Sequence, residues 1–416
     1  MVRTFLKALG LFSFLLVGCS DNQTSLKLVK PTGSFHIGTT RFTFMDSTRP
    51  ETFTSDPEDN REVALKIWYP AEESSCISRA PYIENALERK KRLPANSPLP
   101  PLFFETMAEV ESNSYYDAGV SEKQGNYPLL LFSHASGAGM TANTVLMEEL
   151  ASHGYVTVSI GHAYETSHFI HEDGSLTVFD PNNAELRKRA LERMNSFALQ
   201  RKLNDTVHDD ELIQIIRQLM DMRPKMMESL RIWVEDISFA IDKLEDLNTS
   251  EGRFFKRFDM ERIGVMGHSF GGAAAGQTCL SDERCKAGVN LDGLQIGDMI
   301  QSPLQKPFMF MHHDNINARN KTPNSPFYHK SKAPCYMIMI EGTTHFNFSD
   351  LSLPIYAQLL NPPEGFLGSI DGYRCLDIQN RLIRAFFDTY LRQKTVPLLN
   401  GYSPDYSEVD IIGNNL

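Results

Sequence analysis

The sequence predicts an α/β fold with a mostly parallel central sheet flanked by helices, and three observations predict it. Short, wholly apolar runs alternate with helical periods, as strands buried on both faces do in β-α-β units. The pentapeptide Gly267-His268-Ser269-Phe270-Gly271 joins one such run to a helix of small residues. A histidine, His345, stands a few residues beyond the last strong apolar run. The 416 residues, 41% hydrophobic and 22% charged, suffice for one large domain with insertions. A formal net charge of −11 without a basic cluster argues against a nucleic-acid partner.

The first segment reads as an address. Arg3 and Lys7 form a short basic region, and Ala8 to Val17 is an apolar run too short to span a bilayer. Leu16-Val17-Gly18-Cys19 resembles a bacterial lipobox, so residues 1–18 are expected to be a lipoprotein signal peptide and Cys19 the lipidated residue. A plain secretory peptide cut near Ser20 is the other reading. Ser20 after the cysteine favours the outer membrane, facing the periplasm or the cell surface. Nothing else reads as transmembrane. Residues 19–34 are polar, with Pro31 and Gly33, and are expected to be a tether.

One domain is expected over 35–395. Val63, Leu65, Ile67 and Tyr69 have the period of a half-buried strand. Leu129 to Phe132 is a fully buried strand, Ala142 to His153 a helix closed by Gly154, and Val156 to Ile160 the next strand. Residues 163–225 are polar and helical in period (Leu186, Ala190, Met194, Phe197; then Leu212, Ile215, Ile216, Leu219) and are expected as a helical insertion, a candidate lid. Leu230, Val234, Ile237, Ile241 and Leu244 mark an amphipathic helix. Arg262 to Met266 is a strand and Gly271 to Cys279 a helix; Ala287 to Leu291, Phe308 to Met311 and Tyr336 to Ile340 are three further strands, and Leu376 to Leu391 a last helix. Residues 396–416 lack periodicity and read as a C-terminal tail.

The pentapeptide matches G-x-S-x-G, the sharp strand-to-helix turn of the α/β-hydrolase fold. It makes Ser269 the candidate nucleophile. A serine hydroxyl needs a histidine to take its proton, and that histidine needs a carboxylate. On this fold the chain order is serine, acid, histidine, and His345, after the final strand, is the candidate base. Two carboxylates compete as acid: Asp292 ends the first strand after the serine, and Asp314 ends the next. Spacing leaves both open. His312 and His313 read as satisfied residues at a strand edge; adjacent strand positions point to opposite faces, which disfavours a metal pair with Asp314. His134-Ala135-Ser136-Gly137 after a buried strand resembles a loop that donates one oxyanion N–H, with Phe270 supplying the second. His134 itself precedes the serine and suits a structural role beneath the loop. Of the cysteines after Cys19, Cys279 and Cys285 flank a polar turn and either close a small loop or stand as separate buried thiols; Cys76, Cys335 and Cys375 have no evident pairing. No Cys/His spacing suggests zinc, and no metal or cofactor is expected.

Together, Phe132-Ser133-His134 with Gly137, Leu150 to Tyr155, Gly267 to Gly272, Leu291-Asp292-Gly293, and Gly342 to Asp350 resemble the plasma and type II intracellular platelet-activating-factor acetylhydrolases, in order, from about residue 35 to 392. The resemblance implies Ser269 as nucleophile, His345 as base, Asp292 as acid, and backbone oxyanion donors at Ser136 and Phe270. A small-molecule or lipid ester is the expected substrate class, although the resemblance carries over the reaction type and not phospholipid substrates. The chain departs from that family at His134-Ala135-Ser136, where His-Gly followed by a bulky residue is usual, and in its acidic, Arg-rich insertion. Hydrolysis of short-chain acyl esters is the expected activity, with no single residue fixing the chain length. Polyester or carbohydrate-deacetylating hydrolysis with the same residues, and a non-catalytic lipoprotein binding through a hydrolase scaffold, are the alternatives. The sequence does not set an oligomeric state.

Overall fold

A computed structural model describes residues 28–93, 99–314, 322–401 and 405–416. Cys19 and the expected signal peptide lie outside them. The chain opens with β1 (His36–Pro50), which pairs antiparallel with β2 (Asn60–Ala71); β3 (Arg79–Pro81) and β4 (Glu111–Tyr116) complete that edge. Strands β5 (Tyr127–Ser133) and β6 (Val156–His162) run parallel, while β7 (His168–Ile170) and β8 (Leu176–Val178) form a separate hairpin. Then β9 (Phe258–His268), β10 (Cys285–Leu291), β11 (Phe308–His313) and β12 (Cys335–Ile340) extend the parallel array, and β13 (Val409–Asn414) returns antiparallel beside β12. The spatial order is β13-β12-β11-β10-β9-β5-β6-β2-β1-β4-β3. Every strand expected from an apolar run falls within one of these.

Alternation along the strands divides the core. Leu129 and Leu131 face one side with Trp233, Ile237 and Ala274; Leu130 and Phe132 face the other with Met147, Leu382 and Phe386. The first layer is made by the helices Asp209–Met222, Pro224–Thr249 and Phe270–Ser281, the second by Thr144–Ser152 and Gly372–Tyr390. Pro224 opens its helix, where a missing N–H costs nothing.

Three expectations change in detail. The insertion begins with the β7–β8 hairpin before the helices Ala184–Asn195, Phe197–Asp205 and Asp209–Met222. In the last of these Leu212, Ile215, Ile216 and Leu219 are buried as their spacing implies, but Met194 and Phe197 are 66% and 59% exposed. The end of the expected tether is docked: Leu28 is buried, the Thr32 N–H donates to Glu149 Oε2 at 2.7 Å, and the Gly33 N–H donates to Ser152 Oγ at 3.0 Å. The expected tail supplies β13, whose six residues fill the open edge of β12. Cys279 and Cys285 are disulfide-bonded, linking the end of one helix to the start of β10, while Cys76, Cys335 and Cys375 are free. No described helix is long and apolar enough to cross a membrane.

Candidate active site

Ser269 sits between β9 and the Phe270–Ser281 helix at φ 58°, ψ −120°, outside the comfortable regions for an L-residue. Its N–H donates to Leu291 O at 2.8 Å, which ties the strained turn to β10. Close approach explains the flanking glycines: a Cβ on Gly267 would lie 2.3 Å from the Gly271 carbonyl carbon, and one on Gly271 would lie 2.1 Å from Ser133 O. The turn is tight enough that neither position has room for a side chain.

His345 reaches this serine from the 3-10 turn His345–Phe348, held by reciprocal bonds between Thr344 and Asn347. Its Nε2 lies 3.0 Å from Ser269 Oγ, and its Nδ1 lies 2.6 Å from Asp292 Oδ2. An ionised carboxylate only accepts, so the Nδ1 carries the hydrogen and the Nε2 lone pair faces the hydroxyl. His268, the residue before the serine, fixes the turn from below: its Nε2–H donates to His345 O at 3.1 Å. Burial, with the neighbouring His345, depresses the His268 imidazole to about 3, so it stays a neutral donor.

Asp292 follows β10 at φ 55° and its N–H donates to Met311 O at 2.8 Å. Its side chain is 5% exposed. Burial raises its pKa, but hydrogen bonds from His313 and His345 outweigh that and hold the carboxyl well below the usual range. Asp314, the competing acid, turns away: its Oδ2 accepts the Gly342 N–H at 3.0 Å. His312 Nδ1 bonds the His313 carbonyl, His313 bonds Asp292 and Asp314 bonds the Gly342 N–H, so the three side chains take different partners.

The loop after β5 lies beside the serine turn, because Ser133 pairs with Gly267 in the parallel ladder. Among the described residues the Ser136 N–H has no hydrogen-bond partner, and Phe270 opens a helix, whose first N–H groups are left over. A buried network supports the loop. Gly137 N–H donates to Glu165 O at 2.9 Å, and Trp233 Nε1–H donates to Glu165 Oε2 at 2.9 Å; Arg189 from the insertion pairs with the same carboxylate. Ser133 Oγ lies 3.1 Å from His162 Nε2, whose Nδ1 is 2.8 Å from Asp236, itself paired with Arg61. His134 is buried beneath the loop with Nδ1 2.8 Å from Ala135 O, and burial pushes it down to about 3.

These supporting residues were not legible from spacing. Trp233 and Asp236 lie on the apolar face of an ordinary-looking helix, and His313 passed for a satisfied strand-end residue. The one available signal was a charged residue, Asp236, one position before the core residue Ile237.

A hydroxyl, an imidazole and a buried carboxylate in hydrogen-bonded sequence at the C-terminal edge of a parallel sheet, beside two free N–H donors, define an α/β-hydrolase site suited to acyl transfer. Residues 20–396 match the sequence profile of the family described as platelet-activating factor acetylhydrolase, isoform II. The chain belongs to that family of carboxylic ester hydrolases. It is 23% identical to the platelet-activating factor acetylhydrolase of Cavia porcellus over 342 residues, covering 80% of this chain and 73% of that one. It is 26% identical to the Canis lupus familiaris protein of the same name over 396 residues, covering 91% and 80%. A ferulic acid esterase from Streptomyces cinnamoneus shares the fold, with a TM-score of 0.72 at 23% identity over 93% of this chain and 99% of that one.

Proposed function

We propose that the chain hydrolyses esters of short acyl chains through an acyl-enzyme on Ser269. The Ser269 Oγ attacks the ester carbonyl while His345 Nε2 takes its proton. Asp292 holds the Nδ1–H tautomer and stabilises the imidazolium. The negative oxygen that develops is met by the backbone N–H groups of Ser136 and Phe270, each such donor being worth roughly 3 kcal/mol. The imidazolium returns its proton to the leaving alcohol, and water, activated by the same imidazole, releases the acid. One observation carries this reading: the unbroken run of contacts from Ser269 Oγ through His345 to Asp292.

A fluorophosphonate probe tests it. Wild type is expected to form one adduct, absent in Ser269→Ala, and turnover of nitrophenyl esters is expected to fall roughly a million-fold in that variant. Labelling that persists in Ser269→Ala would assign the chemistry elsewhere. A series of acyl lengths tests the acyl preference, with acetyl and butyryl esters expected to exceed octanoyl. The reading also places the enzyme on a bacterial membrane through a lipid on Cys19. Its support is the Leu16-Val17-Gly18-Cys19 pattern, and incorporation of labelled palmitate that is lost in Cys19→Ser checks it.

A further inference from the structure

Asp292 accepts hydrogen bonds from two imidazoles, and only one of them meets the serine. His313, at the end of β11, places Nδ1 2.8 Å from both Oδ1 and Oδ2 of Asp292, and its backbone N–H donates to Oδ1 at 3.0 Å. His345 takes the remaining approach to Oδ2. The His313 side chain is 45% exposed, and its Nε2 has no hydrogen-bond partner among the described residues.

We propose that His313 is a positioning residue for ester hydrolysis: it fixes the Asp292 carboxylate for His345 and, by gaining or losing a proton at Nε2, sets how much negative charge Asp292 offers to His345. The proposal rests on the ester-hydrolase reading of the site. Because the carboxylate only accepts, His313 Nδ1 carries a hydrogen whether the ring is neutral or cationic. Titration at Nε2 therefore leaves the positioning bonds in place and changes only the charge. A cationic His313 shares its carboxylate with His345 and opposes a second positive charge there. A neutral His313 leaves Asp292 to stabilise the imidazolium formed during attack. The two rings act on each other through the one carboxylate they share.

The surroundings bear on this. Asp292 and Asp314 are the acidic groups that act on His313, and His345 faces it across Asp292. His312 is buried, pushed down by that burial, with Asp410 of β13 among the charges acting on it. The hydrogen bond to Asp292 raises the His313 pKa against the opposing effect of burial.

The pair His313→Ala and His313→Asn separates the two roles, since Asn keeps an N–H donor near the Nδ1 position and does not titrate. With nitrophenyl acetate at pH 8, His313→Ala is expected to lower kcat about tenfold with KM within about twofold, and His313→Asn to recover to within about threefold of wild type. In both variants the acid limb of kcat/KM is expected to move up by about half a pH unit. The Nδ1 proton of His345, followed by NMR, should titrate higher by the same amount in His313→Asn. That signal needs no substrate, so a wild type inert to esters defeats the hydrolase reading without touching the coupling. An unmoved His345 titration in a folded His313→Asn overturns the proposal, as does wild-type kcat in His313→Ala. If the alanine variant fails to fold, the asparagine variant decides alone.

Discussion

Replacing Asp292 by Asn preserves the shape of the side chain and removes its capacity to accept from two imidazoles at once. The amide would turn an N–H toward one ring and favour the wrong His345 tautomer. Asp292→Asn is expected to lower kcat by roughly three to four orders of magnitude, as loss of such a charge does in other serine hydrolases. Asp314→Asn should stay within about threefold of wild type, because Asp314 bonds the Gly342 N–H and not His345. Steady-state kinetics on a nitrophenyl ester checks both, and a larger loss at Asp314 would reverse the assignment of the acid. Ser269 and His345 were legible because each lies in a local pattern: a glycine-flanked turn, and a histidine after the last strand. Asp292 and Asp314 end neighbouring parallel strands at the same sheet edge, so spacing alone could not separate them. What separates them is backbone direction after the strand: Asp292 is at φ 55° and turns its carboxylate inward. His313 was missed for a related reason. Strand alternation says which face a residue takes but not which side chain waits there.

Elements were most legible where both faces are buried. The apolar runs of β5, β9, β10, β11 and β12 were found because parallel strands have no polar side to break the pattern. The helix Ala184–Asn195 shows the converse: its period was real, but only Leu186 is buried on it, so spacing indicated a helix and not what it packs against. The segment before β1 looked like a free tether because its anchoring is polar and distant in sequence. Thr32 bonds Glu149 with both its N–H and its hydroxyl, at 2.7 and 2.5 Å. Burial pushes the Glu149 carboxyl up, but hydrogen bonds from His153 and Thr32 outweigh it and hold it down at about 2. Its contribution to stability is therefore complete above its ordinary value of 4.5 and lost as pH falls from there toward 2. Glu149→Gln should cost about 1–2 kcal/mol at pH 7 and speed amide exchange at Thr32 and Gly33. The difference between variant and wild type should shrink below pH 4. Unchanged exchange at Thr32 would show that Leu28 and the Gly33–Ser152 bond hold the segment without Glu149.

For the whole molecule, the polar interior predicts how the fold responds to acid. His134 and His268 are buried and neutral, each held down at about 3 by that burial, and His168 is pushed well below its ordinary value for the same reason. In the unfolded chain each binds a proton near pH 6.5. Between pH 6.5 and 3 the unfolded state thus binds more protons than the folded one, and stability must rise with pH across that window. At pH 5 each group has given up about 2 kcal/mol, an upper bound, out of a total that for single domains is usually about 5–15. Asp350 works in the opposite direction. Burial raises its carboxyl well above the ordinary value, so its contribution is complete at low pH and lost as pH rises. His313, raised by its bond to Asp292, likewise adds stability as pH falls, though its exposure weakens the effect. The sum of these terms is less informative than a single difference. His134→Asn keeps a donor for the Ala135 carbonyl, which lies 2.8 Å from the imidazole Nδ1, and removes one titrating group. Urea unfolding at pH 6.0, 5.5 and 5.0 should show stability falling as pH falls in both proteins, with the variant's slope shallower by close to one proton, about 1.4 kcal/mol per pH unit. Carboxylates that titrate in this interval do so in both proteins, so the difference between the two slopes reports His134. Parallel slopes would mean that His134 takes up its proton inside the folded protein, and the buried, neutral ring beneath the oxyanion loop would have to be abandoned.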